Sequence, residues 1–397
     1  MVLSRRQQID LPYQMPNAHW IIQIPTFSFQ YVFFEDKASL TKMQGKEEIT
    51  LESRNYAQAF ASIMSHLQRI WELVITAQPL LVMAPNPGKA SQTVQALVSC
   101  ITPFAFSADY RPFFTIYDPE FKDVTRGASS SPISILGVTN PFFSKALQNW
   151  PNVIRLGKVK HMEKKRRAQQ IISKKLLEDL KPGLYSCYKP FLKKDAGFFK
   201  RLKKSLIDGT PEECISLAIQ RFFQELTMSF LIPLEHYLSM LMPLHRDVSP
   251  FRSVPVLKRF NMNDFFRTLE SAGPQLTCDV KGDWAGLYRQ FFSGPHFINW
   301  LSQREGEIRE KLHSLHVDAI VNANFNLWIE KHTEVEIVDM IISLNHLMAK
   351  HEQNQHITDG IRRQISVLME GLPEDLRQVL NRSTSGTGAA VSVIGHG

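Results

Sequence analysis

Residues 78–100, "QPLLVMAPNPGKASQTVQALVSC", decide the fold. The apolar run from Pro79 to Pro85 is short and hydrophobic at every position, as in a central parallel strand covered on both faces. A proline-rich break follows. The spacing then predicts a helix with Ser91 as its cap and Val94, Leu97, Val98 and Ile101 as its buried stripe. Upstream, Phe60, Ile63, Leu67, Trp71 and Val74 recur at three- and four-residue steps, which marks one buried helical face. Glu72, beside Trp71, reads as surface. Downstream, Phe113 to Tyr117 and Ile133 to Val138 read as strands. Asn140 as N-cap and Pro141 at the first helical position then start a helix carrying Phe143, Leu147 and Trp150. Val153 to Leu156 reads as the last strand. Strands alternating with helices predict an α/β domain with a mostly parallel sheet and flanking helices, over residues 52–185.

On either side the pattern changes. Residues 1–18 read as an extended lead-in, and Phe27, Phe29, Tyr31 and Phe33 alternate with polar residues like a half-buried strand that Pro25 interrupts. Residues 37–53 read as a charged connector. After the last strand comes a basic run, Lys158, Lys160, Lys164, Lys165, Arg166, Arg167, Lys174 and Lys175. Such a run reads as a solvated loop or as a patch for an acidic membrane surface, where each basic residue adds about 1 kcal/mol. It lacks the aromatic residues that accompany nucleic-acid binding. Residues 190–381 predict an all-helical region. Thr210 and Glu213 read as a capping box with Pro211 at the first helical position, and Pro233 is expected to kink or end that helix. Shorter helices are expected around Asp264–Ala272, Trp284–Phe292 and Glu305–Ile320. Thr333 and Glu336 form a second capping box before the apolar face Ile337, Ile341, Leu344 and Met348. A last helix is expected near Ile361–Met369, and residues 382–397 read as a disordered tail.

The chain has 397 residues, 44% apolar and 21% charged, the composition of a globular protein with a sizeable core. Its 46 basic and 38 acidic residues give +8, which favours acidic partners. Four cysteines without paired spacing suit a reducing compartment. No apolar signal region opens the chain. The most apolar stretch, Met228 to Met242, is interrupted by Glu235 and His236 and reads as a buried helix, so no transmembrane segment is expected.

Chemistry is sparse. "PNPGKAS" sits where phosphate loops sit, with Gly88 and Lys89 present. Met83 holds the first glycine position and Ala90 the hydroxyl position of the G-x-x-x-x-G-K-[ST] pattern, so the turn before a capped helix is the better reading. "ASSS" at residues 128–131 reads as a loop, and His351 with His356 as a polar helix-end pair. No catalytic residue, cofactor or metal site is expected. The turn formers in "APNP", "YDPEF" and "VTNPF" stand at the carboxyl ends of predicted strands, where ligands of open α/β sheets collect. Partner-binding candidates are therefore Asn86, Asp118, Thr139 and Asn140 at that edge, with Asp109 and Arg111 on the opposite approach to the third strand. Phe142 is an exposed anchor there or part of the core. Structural readings stand beside these: an Arg111–Asp109 pair fixing a loop, and Asn140 as a cap only.

The segments "QPLLVMAPNP", "DYRPFFTIYDPEF", "ISILGVTNPFFSKALQNWPNVIRLG", "SFLIPLEHYLSMLMPL", "AGPQLTCDVKGDWAGLYRQFF" and "WIEKHTEVEIVDMI" resemble, in order, the DENN domain-containing protein 6 subfamily. The resemblance implies a central DENN α/β domain and a helical downstream DENN region. It makes residues 1–51 a remnant of an N-terminal longin-like lobe that the chain otherwise lacks. It implies a guanine-nucleotide exchange factor for a Rab GTPase, placed in the cytoplasm and peripherally on recycling endosomes. Such a factor needs no covalent chemistry, because it binds the nucleotide-free GTPase better than the loaded one. With one lobe missing, a non-catalytic Rab-binding adaptor or scaffold is the alternative.

Overall fold

The computed structural model describes residues 55–126, 133–157, 181–271, 273–274 and 280–386. Residues 1–54, the "ASSS" loop, the basic run Lys158–Lys175 and Cys278 lie outside them. The described residues fall into two compact units, one of residues 55–241 and 259–304, the other of residues 242–258 and 305–386.

The first unit is built on a five-stranded sheet in the order β2-β3-β1-β4-β5. The strands are β1 (Leu80–Met83), β2 (Asp109–Arg111), β3 (Ile133–Val138), β4 (Asn152–Arg155) and β5 (Gly183–Ser186). β1 is central, parallel to β3 in the register Leu80↔Ile135 and to β4 in the register Leu81↔Val153. β2 is parallel to β3, and β5 closes the other edge antiparallel to β4. All four β1 residues and all six of β3 are buried, as the doubly apolar runs require. The sheet with its flanking helices is thus an α/β fold on a mostly parallel sheet, and among the described residues the elements after β5 are helices.

Several local expectations are corrected. The stripe Phe60, Ile63, Leu67, Trp71, Val74 is buried throughout. Its backbone, however, divides into α1 (Tyr56–Phe60), a 3₁₀ turn at Met64–His66 and α2 (Leu67–Ile75). Three-residue bonds from Ile63 N to Phe60 O and from His66 N to Ile63 O tighten the break. α3 (Pro87–Ser99) starts four residues before Ser91, because Asn86 caps it and Pro87 takes its first position. The second strand is Asp109–Arg111, not Phe113–Tyr117. Pro112 ends it, and the following residues form a turn in which Asp118 Oδ2 accepts from Thr115 N (2.6 Å) and Thr115 Oγ1 (2.8 Å). α4 (Phe121–Arg126) and a single-turn α5 (Phe143–Ala146) complete the sheet layers. The loop after β2 crosses β3 so closely that a side chain at Gly137 would collide with the Pro112 carbonyl.

The same unit carries α6 (Ala196–Ile207), the long α7 (Glu212–Met240), α8 (Met262–Leu269), α9 (Trp284–Phe292) and the residues up to Arg304 of α10 (Pro295–Val321). Thr210 does not cap α7. Gly209, at φ 70°, turns the chain left-handed, and Thr210 N donates to Ser205 O, which closes α6. α7 runs unbroken past Pro233. In that turn Tyr288 Oη donates to Phe230 O (2.7 Å) and its ring stacks on Phe230 at 4.2 Å, so packing holds the helix where proline removes a bond. Glu235, which interrupts the most apolar stretch, pairs with Arg304 at 2.8 Å in a largely buried setting. No helix among the described residues is long and apolar enough to cross a membrane.

The second unit contains the rest of α10, then α11 (Phe325–Ile329), α12 (Glu334–Lys350), α13 (Gln355–Glu370) and α14 (Glu374–Gly386). The Thr333–Glu336 capping box closes in both directions. Ile337, Ile341 and Leu344 meet Ile361, Leu368 and Phe325 in one core. At Gly360, a β-carbon would lie 2.6 Å from Val321, so only glycine lets α13 pass there. α14 extends to Gly386, so residues 382–386 of the expected tail are helical.

Candidate functional site

The parallel strands point their carboxyl ends to one edge, and the chain leaves each of them in a loop. Ala84 N donates to Val138 O (2.9 Å), Phe114 N to Gly137 O (2.7 Å) and Leu156 N to Met83 O (2.9 Å), so the loops start from fixed positions. Asn86 Oδ1 accepts from Lys89 N at 2.8 Å, which makes Asn86 a helix cap. Lys89 Nζ donates to Gln58 O. The backbone and side-chain donors of Lys89 are therefore engaged within the protein. Asn140 Oδ1 accepts from Phe142 N (2.9 Å) and Asn140 O from Phe143 N (3.1 Å), so Asn140 shapes the turn into α5. Thr139, half-buried, ends β3.

Arg111 stands at the carboxyl end of β2, on the same edge as these loops, because β2 itself lies at 109–111 and parallel to β3. Its guanidinium bridges Asp109, at the start of the strand, and Glu120, whose Oε2 lies 2.9 Å from Nη2. The Glu120 hydrogen bond, then Asp109, hold its proton more tightly than usual against partial burial. Residue types alone pointed to the Arg111–Asp109 pair and gave no sign of Glu120, nine residues on.

The same loops and α5 also carry apolar side chains. Phe143 and Phe114 are buried with ring centroids 5.9 Å apart. Phe121 packs on Phe143 at 5.9 Å and on Phe142 at 6.3 Å. Phe142 is half exposed, at 50%, while Ile116 is 39% and Tyr117 89% exposed. Large apolar side chains presented together at one edge are the informative departure from ordinary burial. The sequence pattern predicts Ile116 and Tyr117 at the end of a strand, and the structure places them in the loop after β2. The proline and acid around them, "IYDPE", were the signal for a projecting turn.

A second set of residues runs against the sequence reading in the opposite direction. Glu72 is fully buried. Its Oε2 accepts from Phe191 N (2.8 Å) and Tyr188 Oη (3.2 Å), and its Oε1 from Leu192 N (3.2 Å). Burial raises its pKa from 4.5 to about 7, opposed by the two backbone N–H groups, Tyr188 and Arg69. One turn earlier, Gln68 donates to Lys193 O and accepts from Asp195 N, both at 2.9 Å, and Arg69 donates to Ser186 O and Tyr188 O. The polar face of α2 therefore holds the main chain of residues 186–195. A cavity of about 210 Å³ beside it is lined by Arg69, Glu72, Leu192 and Phe199 among others. His296 is buried and neutral: burial lowers its pKa to about 4, opposed by the Val74 carbonyl. Its Nδ1 accepts from Ser107 N (3.0 Å), so Nε2–H donates to Val74 O (3.2 Å). Glu72, Gln68 and His296 are committed to main-chain partners, with the Tyr188 hydroxyl besides.

Elsewhere, His351 meets His313 at 3.3 Å between Nε2 atoms rather than His356. Among the described residues no group of three or more His, Cys, Asp or Glu is placed to hold a metal ion.

Residues 325–383 match the family model of the DENND6 C-terminal domain. The chain is 44% identical over 339 residues to "Protein DENND6A" of Gallus gallus, covering 83% of this chain and 58% of that protein. It is 42% identical over 331 residues to "Protein DENND6B" of Homo sapiens, covering 81% and 56%. It is 34% identical over 312 residues to "Protein DENND6 homolog" of Dictyostelium discoideum, covering 70% and 43%. The chain thus spans less than two thirds of the length of the curated relatives it matches, and over that span it belongs to the DENND6 family.

Proposed function

We propose that this chain is a regulator of a Rab GTPase, acting as a DENN-type guanine-nucleotide exchange factor in endosomal membrane trafficking. The observation that carries the reading is the family relationship, which runs through both the sheet unit and the C-terminal helices. Within it, the carboxyl edge of the sheet is the proposed contact surface. Tyr117 and Phe142 act as anchors there, and the Arg111–Glu120 layer, with Asn86, Asp109, Asp118, Thr139 and Asn140, supports them. Exchange by differential binding asks for such anchors and not for a general acid, base or nucleophile. The proposed setting is the cytoplasmic face of recycling endosomes.

A second reading is a Rab-binding adaptor without exchange activity. A panel of Rabs loaded with a fluorescent GDP separates the two. Accelerated release supports exchange, and binding without release supports the adaptor. If no Rab binds in either nucleotide state, both readings fail.

A further inference from the structure

Between Lys189 and Lys204 the described chain carries seven basic residues and a single acid, Asp195. That acid is already used: its Oδ1 accepts from Phe198 N at 2.9 Å and caps α6. α6 buries Phe198 and Leu202 on one side. Residues 200, 203, 204 and 207 recur at three- and four-residue steps and so share the opposite face. Lys200, Lys203 and Lys204 are exposed there, and Arg201 flanks them. None of the four is in an ion pair among the described residues. Within this basic face sits Ile207, 74% exposed, next to exposed Leu206.

We propose that the outward face of α6, formed by Lys200, Lys203, Lys204 and Ile207, is a docking surface for an anionic lipid bilayer. Charge complementarity commits it to that occupant, because Lys200, Arg201, Lys203 and Lys204 outnumber the one exposed acid at the helix end, Asp208, and a net basic face gains most at a negatively charged surface. The exposed isoleucine distinguishes a bilayer from other polyanions. An aliphatic side chain among lysines gains by entering the boundary between headgroups and acyl chains, and gains nothing against a sugar-phosphate backbone. Stacking aromatics, which a nucleic-acid surface would present, are absent from this face. The helix lies along the membrane plane with Phe198 and Leu202 still holding it to the protein.

Sedimentation of the full chain with vesicles tests this. Phosphatidylcholine vesicles containing phosphatidylserine should capture the chain at low salt, release it at high salt, and far exceed phosphatidylcholine alone. The variant Lys200→Gln/Lys203→Gln/Lys204→Gln should lower partitioning roughly a hundredfold, since each basic residue near the surface contributes about fivefold. Ile207→Ser should weaken binding less while leaving the salt dependence intact. Because all four side chains are exposed, both variants should melt with the parent. Should the triple variant melt lower, Ile207→Ser and Arg201→Gln carry the test instead. The proposal is overturned if the triple variant binds like the parent and only neutralising Lys158–Lys175 releases it. It is equally overturned if pure phosphatidylcholine binds as well, or if single-stranded RNA displaces the chain from the vesicles.

Discussion

Two regions of the sheet unit break the rule of apolar inside and polar outside, in opposite directions. On α2, Gln68 and Glu72 are buried; at the carboxyl edge of the sheet, Tyr117 and Phe142 are exposed. The difference lies in their partners. Gln68 and Glu72 bond residues 186–195 through main-chain atoms and Tyr188, so the burial of these two side chains is compensated within the protein. The aromatic edge pairs with itself only in part, through Phe121 and Phe143, and leaves its outer surface to solvent. A compensated departure serves stability. An uncompensated one leaves surface of the kind the proposed Rab contact would use.

Removing the compensation should have the largest effect. Glu72→Ala leaves two buried N–H groups and the Tyr188 hydroxyl without their acceptor, and should cost about 3 kcal/mol in urea unfolding. A loss below about 1 kcal/mol would show that the α2 face and residues 186–195 are not energetically joined.

The same carboxyl gives the comparison a pH dependence. Folding raises its pKa from 4.5 to about 7, so the folded chain keeps a proton that the unfolded chain gives up. The resulting stability is fully present below 4.5 and is lost as pH rises through about 7. Across that window the change is on the order of 3 kcal/mol. Glu72→Gln should flatten this slope. Glu336 runs the other way. Its pKa is lowered by the Thr333 backbone and hydroxyl bonds, so its contribution is present at neutral pH and lost as acid protonates it. Unfolding midpoints measured from pH 4 to pH 8 in parent and Glu72→Gln decide whether the neutral-range slope belongs to Glu72. A slope that persists in the variant assigns it to another group.

Smaller effects should come from single bonds. Gln68→Ala removes one donor and one acceptor to residues 193–195, worth about 2 kcal/mol together. Thr333→Ala removes a cap, worth about 1 kcal/mol. Denaturant midpoints with unchanged slope should report both losses in that order. The reverse order would mean that residues 193–195 find other partners.

How much of this was legible follows from what each residue answers to. The central strands were readable, because a run such as Ile133–Val138 is buried on both faces and must be apolar throughout. The Thr333–Glu336 box was readable, because both partners lie within one turn. The capping box proposed at Thr210 failed on Gly209, whose left-handed turn gives Thr210 to the preceding helix. Glu72 could not be read, because its partners lie some 120 residues away and are backbone groups with no side-chain signature. Of the edge, Asn86 and Asn140 were visible as turn formers, and both turned out to bond their own loops. Tyr117 was hidden by the assumption that aromatic residues beside a strand continue it.

The exposed edge gives the smallest expected effect on stability and the sharpest test of the comparison. Tyr117 is 89% exposed, so Tyr117→Ser removes almost no buried surface and should shift stability by no more than about 0.5 kcal/mol. Phe142→Ser should cost somewhat more, through its contacts with Phe121 and Phe143. In a Rab-binding assay both should weaken binding about tenfold or more, because tyrosine and other aromatic anchors dominate protein interfaces. Asp118→Ala provides the contrast. It frees the Thr115 backbone N–H and hydroxyl and should lower the melting temperature while weakening binding only as far as the loop loosens. If Tyr117→Ser and Phe142→Ser both bind like the parent while Glu72→Ala abolishes binding in protein that remains folded, the assignment reverses. The buried polar face would then be the functional region, and the aromatic edge an ordinary surface.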